Sequence, residues 1–140
     1  MKKLLSEILV IFMLFLFTSC VPEENASDET SIATVPSAGY EQISAQEAKA
    51  LMDTESDYVV VDARTEQEYA EGHIEGAVLI PEYEIEDRAE TELTRKDQLI
   101  LVYCRSGRRS KIASEELVKL GYTNVKEFGG IIDWPYEVVK

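Results

Sequence analysis

Short runs of apolar residues alternate with polar, helix-prone segments from Tyr40 to Lys140. An unbroken apolar run is typical of a parallel strand, because helices cover both faces of such a sheet. The predicted strands are 40–43, 58–62, 78–80, 99–104 and 125–128, and the predicted helices are 44–52, 65–71, 82–93 and 110–120. This alternation predicts an α/β fold, a doubly wound parallel sheet flanked by helices.

Hydroxyl-bearing residues open three of the predicted helices. Ser44 begins a capping box that is completed by Glu47, and Thr65 is the predicted cap of the second helix. Ser110 is the predicted N-cap of the last helix, whose apolar positions fall on one face as far as Leu120. Such residues satisfy the backbone N–H groups that a helix start leaves without partners.

The apolar run 99–103 stops abruptly at Cys104, and a short polar loop separates it from the last of these helices. Cys104 is therefore expected at the carboxyl end of a central strand and under the N-terminus of a helix. Ligands of open α/β sheets bind at this edge. The unpaired N–H groups and the helix dipole favour negative charge there, so a cysteine at this place favours its nucleophilic thiolate form.

Three arginines and a glycine follow Cys104 within five residues. Gly107 allows several backbone N–H groups to converge on one anion, and Arg105, Arg108 and Arg109 add fixed positive charge. The loop therefore predicts a cradle for a sulfur anion or an oxyanion. The alternative interpretation is a buried structural cysteine beside a solvated basic turn.

Residues 1–19 have the pattern of an export signal, with two lysines before the apolar stretch 8–17. That stretch is too short for a comfortable transmembrane helix. The sequence Phe17-Thr18-Ser19-Cys20 resembles a bacterial lipobox, which implies that Cys20 is lipidated and becomes the mature N-terminus. Residues 20–39 are polar and acidic and predict a flexible tether.

These features predict an exported lipoprotein that is anchored in a bacterial membrane through its N-terminal lipid and faces outside the cytoplasm. An uncleaved anchor and ordinary secretion are the alternatives. The folded domain is expected to cover residues 40–140.

The composition of the chain excludes several classes of partner and cofactor. A formal net charge of -13 argues against nucleic acid or an anionic membrane surface as the main partner. Two cysteines, Cys20 and Cys104, give no disulfide framework. One histidine and one free cysteine cannot form a metal shell, and the chain carries no nucleotide-binding loop, so we expect no metal and no cofactor.

Several short motifs follow one another in order along residues 40–140. They are Val61-Asp62-Ala63-Arg64, Glu68-Tyr69, Gly72-His73-Ile74-Glu75-Gly76-Ala77, Tyr103-Cys104-Arg105-Ser106-Gly107-Arg108-Arg109-Ser110, and Phe128-Gly129-Gly130-Ile131 with Trp134. In this order, and with a cysteine loop of this length, the chain resembles a single-domain rhodanese.

The resemblance implies a sulfurtransferase of the thiosulfate sulfurtransferase class. Cys104 would take sulfane sulfur from a small anionic donor such as thiosulfate, and the resulting persulfide would pass the sulfur to a thiol or a cyanide-like acceptor. The predicted substrate-binding residues are those of the loop, namely Arg105, Ser106, Gly107, Arg108 and Arg109. Their backbone N–H groups can stabilise the persulfide anion.

Other residues of these motifs are expected to support the site. Asp62 and Arg64 end a strand and should brace the loop, by hydrogen bonds or by an ion pair with Glu68. His73 could be taken for a general base, but the resemblance makes it a residue that fixes its loop. Trp134 is expected in the core, and Gly129-Gly130 is expected to form a turn.

Two other classes of function remain open at this point. A phosphatase or arsenate reductase of related fold also uses a cysteine in an anion cradle, but it needs five residues between the cysteine and its arginine. Here Ser110 occupies that position, and Arg109 follows Cys104 after four residues. The third possibility is a non-catalytic rhodanese module that binds a partner or senses oxidants through Cys104.

Overall fold

The structure is a computed structural model that describes residues 39–140. The predicted signal peptide 1–19, the lipidation site Cys20 and the predicted tether up to residue 38 lie outside the described residues. In the described part, the strands are β1 (Glu41–Gln42), β2 (Tyr58–Asp62), β3 (Val78–Leu79), β4 (Leu99–Cys104) and β5 (Val125–Gly130). The α-helices are α1 (Ala45–Thr54), α2 (Glu66–Glu71), α3 (Ile85–Glu92) and α4 (Arg108–Lys119).

All strand pairs of the sheet are parallel, and the strand order is β1-β5-β4-β2-β3. The central strand is β4, with Val61 opposite Val102 on one side and Lys126 opposite Leu101 on the other. All six residues of β4 are buried, as its unbroken apolar sequence predicts. The predicted fold, a parallel α/β sheet flanked by helices, is confirmed.

Alternate side chains of β4 point into two separate cores, because successive residues of a strand face opposite sides of the sheet. On one side, Ile100, Val102 and Cys104 pack in a cluster that includes residues of α3 and α4. On the other side, Leu101 and Tyr103 pack in a cluster that includes Ala48 of α1 and the buried Trp134. The site cysteine therefore faces the layer that contains its own following helix.

Two of the predicted helix starts are observed. Ser44 caps α1, and Thr65 caps α2, each by accepting a hydrogen bond from the backbone of the glutamate three residues later. The glutamate carboxylate, Glu47 or Glu68, accepts the backbone N–H of the cap residue in return, which completes a capping box. None of the helices within residues 39–140 is long and apolar enough to cross a membrane.

Two segments differ from the sequence-based expectation. The segment 82–93 forms a 3₁₀ turn at Glu82–Glu84 before α3 begins at Ile85. Gly129 and Gly130, which were expected to form a turn, belong to β5, and Gly130 pairs with Cys104. A bulge between Val102 and Cys104 shifts the register and allows β5 to continue two residues beyond its apolar part.

A buried polar network joins β2, β4 and the segment 72–77. The Arg64 guanidinium donates to Asp62 through Nε at 2.9 Å and through Nη2 at 2.6 Å, and Nη2 also donates to the Gly72 carbonyl at 2.8 Å. The Tyr103 hydroxyl donates to Asp62 Oδ2 at 2.5 Å and accepts from the Ile74 N–H. Burial, followed by the Asp62 charge, raises the pKa of Tyr103 well above its usual range, so this hydroxyl stays a donor.

His73 lies in the same segment and makes structural contacts. Its ring stacks on Tyr69 with centroids 3.7 Å apart, and Nδ1 lies 3.1 Å from the Tyr69 carbonyl oxygen. Its backbone exchanges two hydrogen bonds with Val139, at 2.9 and 2.8 Å. These contacts tie the C-terminal segment to α2 and are of the kind expected for a residue that fixes its loop.

Replacing Asp62 by Asn should destabilise the domain strongly. The substitution leaves the Arg64 guanidinium, a side chain that is 6% exposed, without its counter-charge, and breaking such a buried pair costs about 3–5 kcal/mol. Urea unfolding followed by circular dichroism measures the change. The matched control is Asp57→Asn, since Asp57 pairs with Arg95 at the surface, where the side chains are 54% and 51% exposed. Equal losses of stability in the two variants would contradict a structural role for the buried network.

Candidate active site

Cys104 ends β4 and is 1% exposed. The backbone N–H of Gly107 donates to Cys104 Sγ at 3.1 Å. Gly107 is the N-cap residue of α4 and has a φ of +91°, in the left-handed region that a glycine adopts without steric cost. The sulfur atom therefore accepts a hydrogen bond at the start of a helix, where the helix dipole favours negative charge.

The predicted N-cap at Ser110 is wrong. Helix α4 begins at Arg108, and Ser110 is the third residue of its first turn. The reason is the positive φ of Gly107, which turns the chain into the helix three residues earlier than the side-chain pattern indicates. The Ser110 hydroxyl instead donates to Glu127 Oε1 at 2.6 Å.

The end of β5 contacts the backbone of the loop that follows Cys104. A Cβ atom on Gly130 would lie 2.3 Å from the Arg105 carbonyl oxygen and 2.6 Å from Ser106 Cα. The Ile132 N–H also donates to the Arg105 carbonyl at 3.3 Å. The loop thus rests directly on backbone, and this role of Gly130 was missed because the Gly-Gly pair was assigned to a turn.

The three loop arginines have different surroundings. Arg105 and Arg108 are exposed, and no acidic side chain within residues 39–140 pairs with either of them. Arg109 is partly buried, and both of its terminal nitrogens donate to Glu68 at 2.7 Å. Ser106 is exposed, whereas Gly107 is buried. Arg105 and Arg108 are therefore the free positive charges of the loop, and substrate binding by all five loop residues stays a prediction.

Glu68 is held by four hydrogen bonds, two from Arg109 and two from the backbone and hydroxyl of Thr65. The bond from Arg109 is the largest cause that lowers the pKa of Glu68, to about 2. An ion pair of Glu68 with Arg64 was one sequence-based expectation, and it is not observed. The Arg64 fork is occupied by Asp62 and Gly72, so the capping glutamate of α2 pairs with the loop instead.

Glu127 is a second carboxylate against the loop and was missed by the sequence analysis. It is 3% exposed and lies under the first turn of α4, where Ser110 and the Gly129 N–H both donate to its Oε1. The available signal was its position two residues after the buried Val125, which places both on one face of β5. Within residues 39–140, no group of three or more His, Cys, Asp or Glu side chains is placed to hold a metal ion.

The assembled site consists of a buried sulfur at a helix start, a glycine-containing loop, and two unpaired arginines at the surface. A cysteine in such surroundings can act as a nucleophile, and the loop N–H groups can stabilise a small anion or an anionic intermediate. The geometry fits covalent group transfer on sulfur.

Comparison with known proteins agrees with this geometry. The profile of the rhodanese-like domain family matches residues 44–135. The thiosulfate sulfurtransferase PspE of Escherichia coli is 38% identical over 80 residues, which are 57% of this chain and 77% of that protein. A sulfurtransferase of Allochromatium vinosum is 44% identical over 85 residues, 60% of this chain and 77% of that protein.

A solved structure described as a rhodanese with anions from E. coli superposes with a TM-score of 0.56 at 36% identity. The match covers 59% of this chain and 98% of that one. The likeness therefore extends over nearly the whole of that structure, and the remaining length of the present chain lies outside it.

Replacing Glu68 by Gln should remove part of the acid sensitivity of the domain. A carboxylate whose pKa is lowered from 4.5 to about 2 adds stability above about pH 4.5, and this is lost as the pH falls towards 2. The variant should be less stable than the wild type by about 1–2 kcal/mol near pH 6, and the difference should shrink near pH 2.5.

Urea unfolding at several pH values measures this difference. Glu66→Gln is the matched control, because Glu66 lies exposed in the same first turn of α2. A stability difference for Glu68→Gln that stays constant from pH 6 to 2.5 would show that the ion pair with Arg109 does not lower the pKa of Glu68.

Proposed function

This chain belongs to the rhodanese-like domain family, and from that premise we propose that it is an active sulfurtransferase that carries sulfur as a persulfide on Cys104. The observation that carries the proposal is the hydrogen bond from the Gly107 N–H to Cys104 Sγ at the start of α4. This contact is available to a thiolate and, after sulfur transfer, to the sulfur atoms of a persulfide anion. Relatives named as sulfurtransferases support the same reaction class.

In the first half-reaction, the Cys104 thiolate attacks the outer sulfur of a donor such as thiosulfate. A new S–S bond forms at Cys104, the S–S bond of the donor breaks, and sulfite leaves with its electron pair. In the second half-reaction, a thiolate or cyanide attacks the outer sulfur of the persulfide, and the Cys104 thiolate is released. No net oxidation, metal or cofactor is needed, since sulfane sulfur passes between two nucleophiles.

The loop residues have different roles in binding the donor and the sulfur anion. The exposed, unpaired Arg105 and Arg108 can attract an anionic donor to a protein whose formal net charge is -13. The backbone of the loop rests on Gly130, and its Gly107 N–H is directed at the sulfur. Arg109 supports the loop through Glu68, so its charge is already balanced. The loop length argues against a phosphatase, because Ser110 occupies the position at which that cradle needs its arginine.

Incubation with thiosulfate should add one sulfur atom to Cys104. Intact-mass spectrometry measures the gain, and addition of cyanide should remove it and release thiocyanate in equal amount. Cys104→Ser should gain no mass and show no transfer, with an unchanged circular dichroism spectrum, because the hydroxyl keeps the shape of the buried thiol.

Two results would contradict this mechanism. One is sulfur transfer by Cys104→Ser at the wild-type rate. The other is a wild-type protein that gains no sulfur from thiosulfate or from any other sulfane donor, which would leave a binding or redox-sensing module.

We also propose that the protein is an exported lipoprotein. The support comes from the sequence of residues 1–20, which lie outside the described residues. A lipid on Cys20 with the following tether would hold the sulfurtransferase domain at the outer face of a bacterial membrane.

Detergent phase partitioning of the full chain in a bacterial host tests this location. The wild type should enter the detergent phase, and Cys20→Ala should leave it or accumulate as an unprocessed precursor, since one lipid signal is lost. A soluble wild-type protein whose N-terminus lies at another residue would contradict the lipoprotein assignment.

A further inference from the structure

Glu127 is a buried carboxylate that the proposed reaction does not use. It is 3% exposed and lies on β5 in the core layer of Val125, where an apolar residue would fit the pattern. Its Oε1 accepts a 2.6 Å hydrogen bond from Ser110 Oγ and a 2.9 Å hydrogen bond from the Gly129 N–H. Burying a charged group is costly unless it is compensated, so its presence requires a physical reason.

The two donors of Glu127 come from the two elements that form the sulfur cradle. Ser110 belongs to the first turn of α4, and Gly129 directly precedes Gly130, on which the loop rests. One carboxylate oxygen therefore joins the helix start to the end of β5. Glu127 and Gly129 both belong to β5, so a shift of α4 against this strand would break the hydrogen bond from Ser110.

Glu127 also shares the helix start with the site sulfur. The Gly107 N–H points to Cys104 Sγ, whereas a Cβ atom on Gly107 would lie 3.9 Å from Glu127 Oε1. Gly107 thus lies between Cys104 Sγ and the Glu127 carboxylate, at the positive end of the helix dipole. A carboxylate beside this helix start offsets part of the positive end of the dipole that faces the sulfur.

We propose that Glu127 is a positioning residue of the sulfurtransferase site. Its hydrogen bond from Ser110 holds the first turn of α4 against β5, and its negative charge limits how strongly that helix start stabilises the sulfur anion on Cys104. The inference rests on the proposed function, because it assigns a role within that reaction. Weaker stabilisation of the persulfide anion by the loop suits a protein that passes sulfur on, because a less stabilised persulfide transfers its outer sulfur to an acceptor more easily.

Other charged groups lie at the same edge of the sheet, and a substitution of Glu127 leaves their identities unchanged. They are Arg105, Arg108 and Arg109 on the loop and first turn of α4, Glu68 on α2, the Asp62–Arg64 pair at the end of β2, Glu82 after β3 and Asp133 after β5. A substitution at position 127 that keeps its hydrogen bonds therefore isolates one charge.

Glu127→Gln is that substitution, because the amide oxygen can still accept from Ser110 and Gly129. The readout is the pH profile of Cys104 alkylation by iodoacetamide, together with the KM for thiosulfate. The midpoint of the profile should move to lower pH by about half a unit to one unit, and the KM should fall by about two- to fivefold.

Glu115→Gln is the matched control. Glu115 is exposed on the same helix, about 12 Å further along its axis than Gly107. It loses the same charge and should leave both the midpoint and the KM unchanged. A midpoint in Glu127→Gln that does not move, that rises, or that moves no further than in Glu115→Gln would overturn the proposal.

Ser110→Ala is a second variant that tests the proposal with the same readout if Glu127→Gln does not fold. It removes one of the two hydrogen bonds to Glu127 and keeps the charge, so less of that charge is compensated next to the helix start. The alkylation midpoint should then move to higher pH, and an unchanged or lower midpoint would overturn the proposal. Because alkylation needs no sulfur donor, these outcomes are separate from a failure of sulfur transfer, which would instead overturn the proposed function.

Discussion

A side chain at position 130 would need the space that the backbone of Arg105 and Ser106 occupies, and the site depends on this close contact. The β5 backbone can approach the loop only because Gly130 has no Cβ. The loop then follows a path on which Gly107 adopts its left-handed conformation and directs its N–H to Cys104 Sγ. Helix α4 starts from that point, so the sulfur, the loop and the helix start are fixed by one backbone contact.

Acidic side chains do much of the positioning around this basic loop. Asp62 neutralises Arg64 inside the protein and receives the Tyr103 hydroxyl, which ties two central strands together. Glu68 accepts the Thr65 N–H at the start of α2 and forms an ion pair with Arg109. With Arg109 paired, the positive potential at the surface of the loop comes from Arg105 and Arg108, in a chain that is otherwise strongly acidic.

Local patterns predicted the elements that depend on local interactions. The apolar run of β4 requires cover on both faces and ends at a cysteine, which is enough to place Cys104 at the ligand-binding edge of a parallel sheet. The caps of α1 and α2 are contacts within four residues, and the capping box at Ser44 and the cap at Thr65 were both predicted. Ser110 has the same chemistry as Ser44, but the left-handed Gly107 starts α4 three residues earlier, so the predicted cap is wrong and the Ser110 hydroxyl donates to a buried carboxylate of β5.

By itself, therefore, the sequence determined the order of strands and helices, the place of Cys104 at the end of a central strand and the family to which its motifs point. These follow from hydrophobic periodicity and from residues close together in the chain. Only the tertiary structure decided the partners of Arg109 and Ser110, which lie 41 and 17 residues away in Glu68 and Glu127. Such pairs depend on which strands become neighbours and on the register between them. A shift of the β4–β5 register by one residue would move Glu127 to the other face of the sheet and leave the helix start without it.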